Sequence, residues 1–195
     1  MTIKSGVTAV VLAGGRSTRF GRDKLAEPMA GRPLLHHAVE AVRPFAAEIL
    51  VITAPDGDMV LPADVHTVHD QVAHEGPLVG LLTGLRSARE PIVLVVGGDM
   101  PTLQSAVLAM LLDTAEDSAH DAVVLEYDGR PRPLPLVVRR EPALALAQVL
   151  VSNGERRLRA LVEVLNASVI ESLSWRAVDP DARTVRDVDT PADLA

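Results

Sequence analysis

Lys24 closes the stretch "VVLAGGRSTRFGRDK", in which an apolar run ends in Gly14 and Gly15 and charge follows at Arg16, Arg19 and Arg22. With Arg32, five cationic side chains fall within seventeen residues of a chain whose formal net charge is −7. Glycine has no β-carbon and adopts positive φ, so a strand that runs into two glycines brings backbone amides close to a ligand. Arginine adds planar, multidentate hydrogen bonds and lysine a compact charge. Lys4 and Lys24 are the two lysines of the chain, so a lysine in this loop stands out. The chemistry indicated is the holding of a small anion, a phosphate compound first among them. A surface loop with solvated arginines fits the same residue types. Neither the dinucleotide fingerprint G-x-G-x-x-G nor the Lys-Ser/Thr pair of a P-loop is present, since Gly21 is followed by Arg22 and Asp23.

Two carboxylates supply the complement. Asp99 in "VLVVGGDMPTL" stands just past an apolar run and before a helical pattern. That is the strand edge where ligands bind in open α/β sheets. A carboxylate there can hold Mg²⁺, a hard cation that shares phosphate oxygens with one or two protein carboxylates. It can equally cap the following helix. Asp70 in "DQVAHEGPLVGLLTGL" follows another short apolar run, and Gly76-Pro77 opens a helix whose first amides can face an anion. His69 and His74 flank this loop without the spacing of a metal site, so packing or solvent contact is expected of them.

The elements that must position these residues read as β then α, repeated. Strands are expected at Val7 to Leu12, Ile49 to Thr53, His66 to His69, Ile92 to Val96 and Ala122 to Leu125, with helices beginning at Pro33, Pro77 and Thr102. "IVLVV" lacks polar alternation, so both of its faces are covered, as in a parallel sheet with helices on each side. "PRPLPLVVRRE" reads as one more extended piece. The helical pattern after it is split at Asn153 and Gly154, and the tail reads as a strand or loop with a short helix starting near Pro191.

Composition bounds the rest. A chain of 195 residues fits one domain, 1–195. At 48% hydrophobic and 2% aromatic, Val, Leu and Ala carry the packing, and aromatic base-stacking surfaces are disfavoured. The acidic balance argues against nucleic acid as a partner. Zero cysteines exclude thiolate metal sites and a thiol nucleophile. No apolar run approaches the ~20 residues that span a bilayer, so no membrane partner and a cytoplasmic location are expected.

"LAGGRSTRFGRDK", from Leu12 to Lys24, resembles the nucleotide loop LAGG-x-S-x-R-(M/F)-G-x-D-K of the molybdenum-cofactor guanylyltransferase family, a branch of the nucleotidyltransferases. "GDMP" resembles the family's C-D-x-P, with Gly98 at the cysteine position, and Asp70 with "GPLVGL" resembles its D-x5-GPLxGL segment. The resemblance implies a Rossmann-like, mostly parallel sheet of the nucleotide-diphospho-sugar transferase type with helices on both faces. It implies that Leu12, Ala13, Gly14, Gly15 and Asp70 hold the nucleotide, that Arg19 and Lys24 lie near its phosphates, and that Asp99 binds Mg²⁺. The reaction implied is transfer of GMP from GTP to molybdenum-molybdopterin with release of pyrophosphate, with protein partners that deliver or receive the cofactor. A cytidylyl or sugar-phosphate transferase is the nearest alternative, and a non-catalytic GTP-binding module is the alternative of a different class.

In the second half, "NGERRLRAL" and "RDVDTPADL" resemble the family's GxRR helix and its N-x-N-T-P ending, with Asp187 and Asp189 in place of the two asparagines. Either can add a magnesium ligand, and both repel phosphates unless a cation compensates. A charged turn with Asp189 near a helix N-cap is the alternative. Arg156, Arg157 and Arg159 can hold the second substrate's phosphate or simply solvate a helix; helical spacing puts Arg156 and Arg159 on one face with Arg157 turned away, so the three do not automatically converge.

Overall fold

The structure is a computed structural model and describes residues 6–14, 24–55, 61–70 and 75–194. Its strands are β1 (Val7–Leu12), β2 (Pro28–Met29), β3 (Arg32–Pro33), β4 (Glu48–Thr53), β5 (His66–His69), β6 (Ile92–Gly97), β7 (Ala122–Tyr127), β8 (Arg130–Arg139) and β9 (Ala167–Ile170). Its helices are α1 (Leu34–Val42), α2 (Pro77–Ser87), α3 (Ser105–Asp117), α4 (Arg140–Ser152), α5 (Leu158–Val164) and α6 (Ser172–Trp175).

Seven strands form one sheet in the order β5-β4-β1-β6-β8-β7-β9. All pairings are parallel except the two made by β8, which runs against both β6 and β7. The expected fold is therefore borne out, with β8 as the single reversed strand. Its reversal matters for the site, because it brings residues 130–134 to the edge of the sheet where the neighbouring strands end.

The apolar runs alternate between two cores, as a strand's period of two requires. Ala9 and Val11 of β1, with Leu94 and Val96 of β6, face α1, α3 and the buried Trp175. Val10, Val93 and Val95 face α2, α4 and α5. On α2, Gly84 faces β1 so closely that an added Cβ would stand 2.8 Å from Val10 Cγ1. Gly80, one turn earlier, would place a Cβ 3.6 Å from Leu12 Cδ2. The two glycines let α2 lie flat on the sheet, with its first turn beside the end of β1.

Several boundaries differ from expectation. Pro33 is the N-cap residue of α1, which starts at Leu34. α3 starts at Ser105 with Gln104 as its N-cap residue, three positions after Thr102. Thr102 instead donates its hydroxyl to Arg183 O at 2.8 Å, and the backbone N–H of Gln104 donates to Thr184 Oγ1 at 3.1 Å, so the tail holds this segment out of the helix. Of the two readings of the tail, the loop is the one found among the described residues, with 3-10 turns at Arg183–Val185 and, as expected, from Pro191 to Leu194. The short strands β2, β3 and β9 carry no sequence pattern long enough to reveal them. None of the helices among the described residues is long and apolar enough to cross a membrane.

Candidate active site

Four parallel strands, β5, β4, β1 and β6, end on one side of the sheet, and β1 and β6 are neighbours from which the chain departs in opposite directions across the sheet. A crevice opens there, as expected at a topological switch point. Its volume is about 400 Å³, and its lining includes Leu12, Gly14, Lys24, Asp70, Gly76 and Asp99. That is within the usual range for a small-molecule site. Three segments that are distant in sequence therefore meet in one cavity.

Lys24 begins a 3-10 turn, Lys24–Ala26, that is anchored by the buried Leu25. Its ammonium donates to Asp99 Oδ2 at 2.7 Å and to the carbonyl of Val188 at 2.9 Å, and it stands 3.8 Å from Asp189 Oδ1. Asp99 leaves β6 through Gly97 and Gly98. A Cβ at Gly97 would stand 2.5 Å from Asp99 Oδ1, so glycine there is what lets the carboxylate fold back over the strand end. Gly98 N–H donates to Leu12 O at 2.9 Å, tying the two strand ends together. Val188 N–H donates to Asp99 O at 2.9 Å, so the tail closes the same cluster from the far side. Asp99 caps no helix: α3 begins six residues later and has no side-chain cap.

Asp70 follows β5 and is held by its own N–H, which donates to Thr53 O at 2.9 Å. The residue is 8% exposed, and Oδ1 is buried without a hydrogen-bond partner among the described residues. Burial raises the Asp70 carboxyl above its ordinary range; a hydrogen bond with Thr83 opposes the shift, and the charge of Glu75 adds to it. A buried acceptor left unpaired in the lining of a cavity can take a hydrogen bond from a donor that enters it.

The first turn of α2 differs from expectation. Pro77 has no N–H, Leu78 N–H donates to Arg156 O at 3.1 Å, and Val79 N–H donates to Gly76 O at 3.2 Å. These amides are engaged within the chain and are not offered to an anion. Gly76, at φ +102, is needed for another reason: a Cβ there would stand 2.9 Å from Arg156 Cβ. Arg156 precedes α5, so the helical spacing expected with Arg159 does not apply to it. Its guanidinium donates to Val151 O and Glu155 O and stands 3.8 Å from Glu75, while Arg157 pairs with Glu155 and Arg159 with Glu163. The three arginines meet separate carboxylates and do not converge.

The family described as "MobA-like NTP transferase domain" matches residues 9–169. The chain belongs to this family. A "Probable molybdenum cofactor guanylyltransferase" of Chloroflexus aggregans is 34% identical, over 100% of this chain and 94% of the relative. A "Molybdenum cofactor guanylyltransferase" of Burkholderia ambifaria is 35% identical, over 79% of this chain and 80% of the relative. The crystal structure of molybdopterin-guanine dinucleotide biosynthesis protein A from Archaeoglobus fulgidus superposes with a TM-score of 0.79 at 22% identity, covering 96% of this chain and 94% of that one. The last comparison concerns the fold; the first two place the chain among the guanylyltransferases and hence the nucleotidyltransferases.

Of the residues that the resemblance singles out in this family member, Leu12, Gly14, Lys24, Asp70 and Asp99 line the cavity. Ala13 donates its N–H to Ile52 O at 2.8 Å between them. Gly15 and Arg19, with Arg16 and Arg22, lie outside the described residues, as does His74. His69 bonds Thr53 Oγ1 through Nδ1 at 3.0 Å, a packing role. Sequence reasoning missed the carbonyl of Val188 and the side chain of Leu134, which also borders the cavity. A backbone carbonyl has no residue signature, and Leu134 arrives only because β8 is reversed.

A divalent cation fits this cluster by the chemistry of its donors. The Lys24 ammonium already sits among two carboxylates and a carbonyl, all hard oxygen ligands of the kind that Mg²⁺ takes. Among the described residues no three acidic or histidine side chains form a complete metal cage. That suits a cation whose remaining positions are filled by water and substrate phosphate.

Proposed function

We propose that the chain transfers GMP from GTP to the terminal phosphate of molybdenum-molybdopterin, with Mg²⁺ as cofactor. The observation that carries this reading is the Lys24–Asp99 pair lining a cavity that is also lined by Asp70, whose Oδ1 is unpaired among the described residues. The guanylyltransferase relatives support the choice of nucleotide and acceptor.

In the transfer, an oxygen of the acceptor phosphate forms a bond to the α-phosphorus of GTP. The bond from that phosphorus to the bridging oxygen breaks, and its electron pair leaves with pyrophosphate. Such a reaction is governed by in-line placement and charge neutralisation, and it needs no covalent nucleophile from the protein. Leu12, Ala13, Gly14 and Gly15 lay the nucleotide along the end of β1. Asp70 accepts hydrogen bonds from its nucleoside part. Asp99 holds Mg²⁺, which when bound supplies positive charge to the phosphate oxygens. Lys24 turns from Asp99 to the phosphate chain, and Arg19 offsets further charge.

The test compares GTP, CTP and ATP side by side with loaded molybdopterin and Mg²⁺, reading pyrophosphate release. GTP is expected to be preferred by at least tenfold. Equal or greater use of CTP overturns the nucleotide assignment, and silence with all three overturns the enzyme reading.

A further inference from the structure

Asp187 and Asp189 place two negative charges on either side of Val188, whose carbonyl accepts from the cavity-lining Lys24, and each meets a cation. Lys24 stands 3.8 Å from Asp189 Oδ1, and Arg132 Nη2 stands 3.7 Å from Asp187 Oδ1. Lys24 comes from the glycine-rich loop, but Arg132 comes from β8, which nothing in the nucleotide-loop pattern points to. The same Arg132 Nη2 donates to Val185 O at 3.0 Å. The guanidinium carbon lies 6.0 Å from the centre of the Tyr127 ring, which in turn packs at 6.2 Å on the buried Trp175. Arg132 Nε is buried without a partner, so the guanidinium is aimed at the tail although this leaves one of its own donors unsatisfied.

Between the buried Val185 and Val188, Arg132 therefore grips a short strap. The residue after Asp187 is Val188, whose N–H donates to Asp99 O and whose carbonyl accepts from Lys24. Charge at Asp187 thus lies one residue from the metal carboxylate's own backbone partner.

We propose that Arg132 is a positioning residue for the transfer reaction: it neutralises Asp187 and holds the 185–189 strap, so that a chain with a carboxylate at this position still accepts polyanionic substrates. Without Arg132, the uncompensated Asp187 carboxylate repels the incoming phosphates and loosens the strap at Val185. The inference rests on the nucleotidyl-transfer reading, and it predicts a dependence on a specific pair of charges that a purely structural role for Arg132 does not.

The experiment compares wild type, Arg132→Ala and the double variant Arg132→Ala/Asp187→Asn. Mg²⁺-GTP affinity is read by calorimetry, kcat/KM by pyrophosphate release, and folding by thermal melting. Arg132→Ala is expected to lower both GTP affinity and kcat/KM by about tenfold, more at low salt than at high salt because exposed charges are screened. The double variant is expected to recover at least threefold of that loss although it lacks the same arginine. No loss in Arg132→Ala, or a double variant no better than the single one, overturns the inference. So does a loss of activity that follows the fall in melting temperature across the variants. If wild type binds GTP but releases no pyrophosphate, the transfer reading fails while the affinity series still decides the role of Arg132. If wild type does not bind GTP, both fail.

Discussion

Lys24 and Asp99 are 75 residues apart in sequence, and their side chains meet at 2.7 Å at the end of β6, with side chains only 16% and 27% exposed. The lysine that we propose for phosphate is thus the counter-ion of the carboxylate that we propose for the metal. On the proposed reading, Mg²⁺-nucleotide would replace this pair, with Asp99 holding the metal and Lys24 the phosphate.

Lys24→Ala removes the ammonium from both states. GTP affinity is expected to fall by tenfold or more, as the loss of a charge-assisted contact of about 1.5–3 kcal/mol implies. In the free protein Asp99 and Asp189 lose their shared cation, so added Mg²⁺ is expected to raise the melting temperature of this variant more than that of wild type. Unchanged GTP affinity in calorimetry contradicts the assignment.

Asp99→Asn keeps the shape of the side chain and one acceptor for Lys24. Turnover is expected to drop by about 10²-fold or more, the scale seen when one preorganised electrostatic group is removed from a reaction centre. Thermal stability should change little. Near-normal pyrophosphate release from a folded variant rules out the proposed role.

Asp70→Asn should separate stability from binding. The carboxyl ionises near 3.8 in the unfolded chain and higher in the folded one. The folded state therefore binds more protons in that interval, and stability falls as pH rises through it. At pH 7 the full penalty of a buried charge is present, and asparagine does not carry it. The variant is expected to melt above wild type at pH 7, with the gap closing as pH falls below 4, while its GTP affinity drops. A variant that is less stable by the same margin at both pH values contradicts this.

Gly84→Ala tests how closely α2 must lie on the sheet. The new methyl would stand 2.8 Å from Val10 Cγ1. Overpacking of about 1–3 kcal/mol outweighs a helix-propensity gain of roughly 1 kcal/mol. The melting temperature is expected to fall by several degrees; a rise would show that the helix can shift freely.

The parallel strands and the residues at their ends were legible because buried strands carry short, unbroken apolar runs and functional loops follow them. β1 was read to its exact bounds, and Lys24, Asp70 and Asp99, singled out from the sequence, line one cavity. The contacts that complete the site were not legible. Val188 contributes a carbonyl, the neutralisation of Asp187 comes from Arg132 on the reversed strand β8, and the amide of Leu78 in α2 is taken by the carbonyl of Arg156. Each depends on which distant segment lies alongside, and residue spacing does not encode that. In the tail, the short helix was legible at Pro191, but its capping was not: Asp193 accepts from Asp189 N–H, Thr190 N–H and the Thr190 hydroxyl. The turn is therefore closed from its C-terminal side, leaving the Asp189 carboxylate beside Lys24.

The most direct measurement follows the label from [α-³²P]GTP with Mg²⁺ and molybdenum-molybdopterin. GMP transfer predicts that the label leaves GTP and appears in a pterin-guanine dinucleotide, in equal amount to the pyrophosphate released and with none retained on the protein. Label that stays in GTP, or that appears as free GMP or bound covalently to the chain, contradicts it.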